Sequence, residues 1–344
     1  MIDVRSDTVT RPSAEMRRVM AAAEVGDDVH GDDPTVIRLQ DYAADLLGKA
    51  AGLYFPSGTM CNQAALRALT QRGDEVFLHA QAHIMFYEQG ASTLSNVQLR
   101  CFDSPDATLD LEKMEEYVHP DGEVHFAPTR LVCLENSHTH CGGAILPFEH
   151  LKAVRIFCDR HDLKLHLDGA RLGNAVVATG ISFAEYAALC DTVSICLSKG
   201  LGAPVGSVLL GDEPTIAKAR RARKIYGGGM RQAGIVAAGG LFALEHNVAR
   251  LADDNRRARA LAERLATVPG LSVEMGRVQT NMVFAGTKDT GLPAAEVVAR
   301  LREQGVLALD EAAWSVRFVT HLDVDDADVE EGVAAVRRAV TAGR

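Results

Sequence analysis

The sequence is short of positive charge, of paired cysteines and of long apolar runs. Its 344 residues hold 36 Lys+Arg against 46 Asp+Glu, a net charge of −10. A protein that grips nucleic acid by its phosphates needs a basic face. The one basic run here, Lys218, Arg220, Arg221, Arg223 and Lys224, reads as a solvated helix face. The seven cysteines (Cys61, Cys101, Cys133, Cys141, Cys158, Cys190, Cys196) form no CxxC pair, and several lie within apolar runs. That is the pattern of buried free thiols in a reducing compartment. No GxxxxGK[ST] occurs, which sets nucleotide hydrolysis aside. The first residues are charged from Asp3 onward and lack the apolar core of a signal peptide. The longest small-apolar stretch, Gly234–Leu244, spans 11 residues, too few to cross a bilayer, and is better read as a buried helix. The expectation is a cytoplasmic protein with no nucleic-acid or membrane partner.

What is present is enough apolar material for a full core: 47% hydrophobic residues against 24% charged. Disorder, collagen and small disulfide scaffolds are excluded, and the length suggests about two domains. Val76–His79, Leu131–Glu135, Lys164–Asp168, Val193–Leu197 and Ser207–Leu210 read as buried strands. Between them lie the helix-like stretches Pro34–Leu47, Thr59–Gln71, Phe148–His161 and Ile181–Leu189. Such alternation indicates an α/β fold with a largely parallel sheet. Asp33-Pro34 and Ser57 offer helix starts. From about residue 250 the texture changes. A charged helix (Arg250–Thr267) is followed by strands near Leu271–Glu274 and Met282–Ala285, a helix near Pro293–Gln304, strands near Val306–Leu309 and Val316–Thr320, and a last helix from Asp325. This predicts a large domain over 1–249 and a smaller α+β domain over 250–344.

In open α/β sheets, functional residues collect past the carboxyl ends of strands. Lys199 follows an apolar strand in Ser198-Lys199-Gly200 and is flanked by Gly200, Gly202 and Ala203, which leave room for a planar ring. Such a lysine either snorkels outward or serves as a Schiff-base amine. Asp168 closes the neighbouring strand in His166-Leu167-Asp168-Gly169-Ala170-Arg171. Alone it is a helix cap; beside a Schiff-base lysine it can keep the pyridinium nitrogen of pyridoxal phosphate protonated, with Arg171 on the phenolate oxygen. Ser57-Gly58-Thr59 opens a helix whose free N–H groups suit a phosphate. His83 is either an ordinary polar histidine or one that stacks on the cofactor ring. In Asn136-Ser137-His138-Thr139-His140-Cys141 a metal set is conceivable, with Asp168 and His166 as further ligands. The spacing is no standard zinc pattern, and His138 is better used as a catalytic base. Arg317, on the apolar strand Val316–Thr320, needs a partner: a structural carboxylate or that of a substrate. Gly227–Gly229 with Arg231 suits close backbone approach and phosphate contact.

Seven segments in order resemble the low-specificity L-threonine aldolases, pyridoxal-phosphate lyases of the aspartate aminotransferase architecture, fold type I. They are Arg5–Thr10, Pro56–Met60, Glu135–His138, His166–Arg171, Leu197–Leu201, Gly227–Gln232 and Arg317–His321. The resemblance covers essentially the whole chain. It implies a mostly parallel seven-stranded sheet in the large domain and cleavage of L-threonine or L-allo-threonine to glycine and an aldehyde. It also assigns roles. Lys199 is the Schiff-base lysine, His83 the stacking histidine, Asp168 the pyridinium partner and Arg171 the phenolate partner. Ser57, Gly58 and Thr59 form the phosphate cup, with Arg231 given by an adjacent subunit. Ser6 and Arg317 take the substrate carboxylate, His138 the β-hydroxyl proton, directly or through water. Tyr87 and Lys224 line the aldehyde side, partly from the neighbour. Shared sites imply at least a dimer, and the family is commonly tetrameric.

Two departures bear on the diastereomer preference: His30 stands where the family often has tyrosine, and Ser137 and Thr139 replace the usual threonine and asparagine. A transaldolase, a serine-hydroxymethyltransferase-like enzyme, an amino-acid racemase or a β-eliminating lyase could use the same apparatus. Outside the fold class, the alternatives are a metal hydrolase built on His138, His140 and Asp168, and a non-catalytic binding protein.

Overall fold

A computed structural model describes residues 1–341. Its centre is a seven-stranded sheet. The strands are β2 (Ala51–Phe55), β3 (Glu75–His79), β4 (Gln98–Phe102), β5 (Thr129–Glu135), β6 (Lys164–Asp168), β7 (Thr192–Cys196) and β8 (Ser207–Gly211), after a short β1 at Ile2–Asp3. The order is β2-β8-β7-β6-β5-β3-β4, parallel from β7 through β4, with β8 antiparallel to both neighbours. Strands β3, β7 and β8 are buried along their length, as expected of a sheet covered by helices on both faces. The strands expected from the sequence lie within a residue or two of these.

The helices start where local chemistry allows. Asp33 caps Pro34–Leu47 by accepting from Thr35 and Val36 N–H at 3.1 and 3.0 Å, and Gly48, at φ 62°, ends it. Ser57 caps Gly58–Leu69 through Met60 N–H at 3.2 Å. Gly234–His246 is the expected buried helix. The helix expected over Ile181–Leu189 is present as Phe183–Ala188, started by a Ser182–Glu185 capping box, and is preceded by a further helix, Leu172–Thr179, that stops at Gly180. In the basic run, Arg223 is not solvated. It is 2% exposed and pairs with Asp28 at 2.7 Å and Tyr54 O at 2.6 Å, while the other four basic residues stay exposed. Among the described residues no helix is long and apolar enough to cross a membrane.

The C-terminal part builds a four-stranded antiparallel sheet. It contains β9 (Ser272–Val273), β10 (Met282–Gly286), β12 (Leu309–Ala312) and β13 (Ser315–Val319), in the order β12-β13-β10-β9. The run expected as one strand at Val306–Leu309 divides. Its first half, β11 (Val306–Leu307), pairs in parallel with β1, and β12 begins after it. The first residues of the chain thus pack with the last third: Val4 belongs to the same buried cluster as Val283, Val306 and Phe318. The segment Ser6–Thr8 is thereby led between the two sheets.

Helix Leu251–Leu265 ties the Lys199 turn to this layer. Arg250 donates to Gly200 O at 3.0 Å and pairs with Asp254, and Thr320 Oγ1 donates to Asp254 O at 2.6 Å. Asp254 is fully buried and one of its oxygens has no partner. Burial pushes its pKa from 3.8 up to about 6 despite Arg250. Between those values the folded chain binds more protons than the unfolded one, so stability falls as pH rises. The cost is absent below the unfolded pKa and complete above the folded one, at about 3 kcal/mol. Asp254→Asn is expected to flatten this slope. Melting temperatures of both proteins at pH 5 and pH 8 check it, and parallel pH dependences would contradict it.

Candidate active site

Past the carboxyl ends of β5, β6 and β7 lie two adjoining cavities, of about 150 and 440 Å³. His83 and Lys199 line both. The smaller is walled by Gly58, Thr59, Asn62, Asp168, Ser198 and Ser207; the larger by Ser6, Tyr87, Thr139, Arg171, Glu311 and Arg317, among others.

The smaller cavity has the donors of a phosphate cup at one end and a carboxylate at the other. Gly58 and Thr59 begin a helix, whose first N–H groups are free for an anion. Gly58 faces the unpartnered, buried Ser207 Oγ, which a Cβ there would meet at 3.4 Å. Asp168 is 2% exposed; it accepts from Ala170 N–H at 3.0 Å and from Asn62 Nδ2 at 2.8 Å, with no cation paired to it. A buried carboxylate without a counter-charge calls for a cationic group on whatever fills the cavity. This donor set fits pyridoxal phosphate: phosphate at Gly58–Thr59, a protonated ring nitrogen at Asp168 and a carbonyl at Lys199.

Asn62, which sequence reasoning passed over, organises this end. Its Nδ2 donates to Asp168 and to Glu88 at 2.8 Å each, and its Oδ1 accepts from Ser194 Oγ at 2.9 Å and His166 Nε2 at 3.2 Å. All of its polar capacity is used, and His166, pushed down to about 4 by burial, stays neutral. Glu88 in turn takes the His83 Nδ1–H at 2.9 Å. Burial disfavours the His83 cation, but the Glu88 hydrogen bond and the Asp168 charge outweigh it and raise the pKa. The readable signal was a buried polar residue on the inner face of an otherwise small-apolar helix.

The larger cavity is framed by two arginines already in ion pairs. Arg171 holds Asp7 by both Nε and Nη2 at 2.7 Å, and gives Nη1 to Thr139 Oγ1 at 3.1 Å. Asp7 is fully buried and also accepts from Asn281 at 3.1 Å. Burial alone would raise its pKa, but Arg171 and Lys199 hold it well below the usual carboxylate range. Arg317 Nη1 meets Glu311 Oε2 at 2.9 Å, and its Nε is buried without a partner.

His138 does not stand on either cavity wall. Its backbone bridges to Ala144, turning segment 138–144 back on itself. The ring is 1% exposed, edge-on to His79 at 4.5 Å, with Nδ1 accepting from Cys141 N–H at 3.3 Å. Thr139 takes the wall position instead. Glu135, 3.8 Å from His138 Nε2, accepts from the backbone N–H of His83 at 2.8 Å and of Thr139 at 2.9 Å. His138, His140 and Asp168 are not gathered as a metal set. The groups that do lie together are His79–His138–Cys141 and His83–Glu88–Asp168. Arg231, Lys224 and His30 reach neither cavity of their own chain. Arg231 is exposed and pairs with Asp27 at 3.0 Å, Lys224 lies against Gly229, which packs on Val29, and His30 is exposed on the same turn.

Asp7→Asn is expected to cost about 3–5 kcal/mol of stability, because it leaves Arg171 buried without a counter-charge. The exposed neighbour change Thr8→Ala should stay within about 0.5 kcal/mol. Chemical denaturation compares them, and equal small effects would contradict the role given to Asp7.

Residues 3–288 match the beta-eliminating lyase family model. The chain is 46% identical over 344 residues to the low specificity L-threonine aldolase of Escherichia coli (strain K12), covering 99% of this chain and 100% of that one. It is 45% identical over 334 residues to a probable low-specificity L-threonine aldolase 2 of Arabidopsis thaliana, covering 96% and 94%. The solved structure of Leishmania major threonine aldolase superposes with a TM-score of 0.82 at 20% identity, over 99% and 100% of the chains. The chain belongs to the beta-eliminating lyase family, with the low-specificity L-threonine aldolases as its near relatives.

Proposed function

We propose that this protein is an L-threonine aldolase that cleaves L-threonine, L-allo-threonine and other β-hydroxy-α-amino acids to glycine and an aldehyde. The carrying observation is the meeting of two cavities at Lys199 and His83, one with the donors for a cofactor and one with arginines for an amino acid. The family implies dependence on pyridoxal 5′-phosphate. Lys199 would hold it covalently, Ser57, Gly58 and Thr59 its phosphate, Asp168 its ring nitrogen, Arg171 Nη1 its phenolate oxygen and His83 its face. Bound there, it supplies an electron sink for the Cα–Cβ bond that breaks.

The chain's own residues do the rest. Ser6 and Arg317, both on the wall of the larger cavity, hold the α-carboxylate. Tyr87 and Thr139 bound the side-chain space. His83, on the wall of both cavities, takes the β-hydroxyl proton as the aldehyde leaves, directly or through a water, and Glu88 stabilises the imidazolium. His138 lies behind them, 3.8 Å from Glu135, and Glu135 fixes the backbone at His83 and Thr139.

Among the described residues no arginine lines the smaller cavity. Arg231, Lys224 and His30, clustered and exposed elsewhere, would complete the site of an adjoining copy, making the protein at least a dimer and, as in its family, a tetramer. Residues 1–249 would hold an N-terminal segment and the large unit and 250–344 the small unit, with the first residues of the segment packed on the small unit. A cytoplasmic setting is supported by seven unpaired cysteines.

Purified protein with pyridoxal phosphate is expected to release acetaldehyde from L-threonine and L-allo-threonine and from neither D-enantiomer. Lys199→Ala should abolish both this and the visible cofactor band. A band that persists in Lys199→Ala and is reducible by borohydride would overturn the assignment. His83→Ala should lower kcat by about 10²-fold or more while cofactor stays bound, with His138→Ala losing less. The reverse ranking would return the base to His138.

A further inference from the structure

Strand β12 places two acidic residues, Asp310 and Glu311, along the wall of the larger cavity. Asp310 is exposed and its carboxylate has no partner among the described residues. Glu311 is mostly buried and holds three groups together. Its Oε2 lies 2.9 Å from Arg317 Nη1; its Oε1 accepts from Tyr87 OH at 3.3 Å and lies 3.4 Å from His140 Nδ1. The His140 ring is stacked on Tyr87 at 5.0 Å and 13°, so this corner is braced from both sides.

The charge balance of the cavity follows. Arg171 is neutralised by Asp7 and Arg317 by Glu311. What remains for a ligand's first carboxylate is Ser6 and those Arg317 Nη hydrogens not taken by Glu311 and the Arg5 carbonyl. Among the described residues of its own chain, a second carboxylate in the same cavity meets no unpaired arginine, while Asp310 and Glu311 stand on the wall. At about 5 Å and an effective dielectric of about 40, two like charges weaken binding about tenfold or more. The volume, about 440 Å³, exceeds the lower bound of pockets that take drug-sized ligands, so size does not do the excluding.

We infer that Glu311, assisted by Asp310, makes the larger cavity charge-selective: it admits β-hydroxy-α-amino acids with neutral, hydroxylated or cationic side chains and rejects those ending in a second carboxylate. This rests on the reading of that cavity as the amino-acid site. Glu311 acts as a specificity residue: its charge sorts side chains, and its bond to Arg317 sets where the common carboxylate lies.

Calorimetric titration of the holoenzyme with L-alanine and with L-aspartate tests this without turnover. The unaltered protein is expected to bind L-alanine at least about tenfold more tightly. Glu311→Gln keeps the size and the contacts to Tyr87 and His140, and should narrow that ratio about tenfold; Asp310→Asn should narrow it less. Equal binding of the two ligands by the unaltered protein would overturn the inference. So would a Glu311→Gln variant that changes both affinities by the same factor, since Glu311 would then only hold Arg317. If neither amino acid binds, the amino-acid site itself is misplaced and the inference falls with it.

Discussion

The bidentate pair between Asp7 and Arg171 is the constraint on which the site depends. Both groups are buried, so neither tolerates loss of the other. Through them the first residues of the chain are bound to the end of β6, and through Asn281 to the residue just ahead of β10. Three parts of the sequence, far apart in number, are thereby held at one point. Ser6 and Thr8, on either side of Asp7, are turned onto the cavity wall, and Thr139 is anchored by the remaining guanidinium nitrogen. The larger cavity exists because this junction fixes its walls relative to the large sheet.

A second network does the same for the cofactor side. Asn62 sits at the crossing of Asp168, Glu88, His166 and Ser194, and Glu88 passes the constraint on to His83. A fully satisfied polar network of this kind holds its members in one geometry. His83 belongs to both halves, lining both cavities.

The parts of this arrangement legible in the sequence were those whose signals are local. Lys164–Asp168 and Pro34–Leu47 lie where their apolar periods and cap residues place them, and Lys199, Asp168 and Ser57–Thr59 fall at strand ends and a helix start. What was not legible depends on contacts across the chain. A histidine after a strand reads as exposed to the site, but the tight turn closing on Ala144 buries His138. Arg223 reads as one more surface cation until Asp28 is brought beneath it. The division of Val306–Leu309 arises because β1 claims its first half, and only then does β12 carry Glu311 into the cavity.

We propose that one site is assembled around Lys199 from these two networks and completed by a second copy of the chain. A crystal structure of the holoenzyme with glycine tests it directly. The account requires the phosphate at Ser57–Thr59 with the partner subunit's Arg231 beside it, the ring nitrogen within hydrogen-bond distance of Asp168, and the glycine carboxylate on Ser6 and Arg317. A phosphate bound without the partner subunit's Arg231, or a carboxylate held away from Arg317, would contradict it.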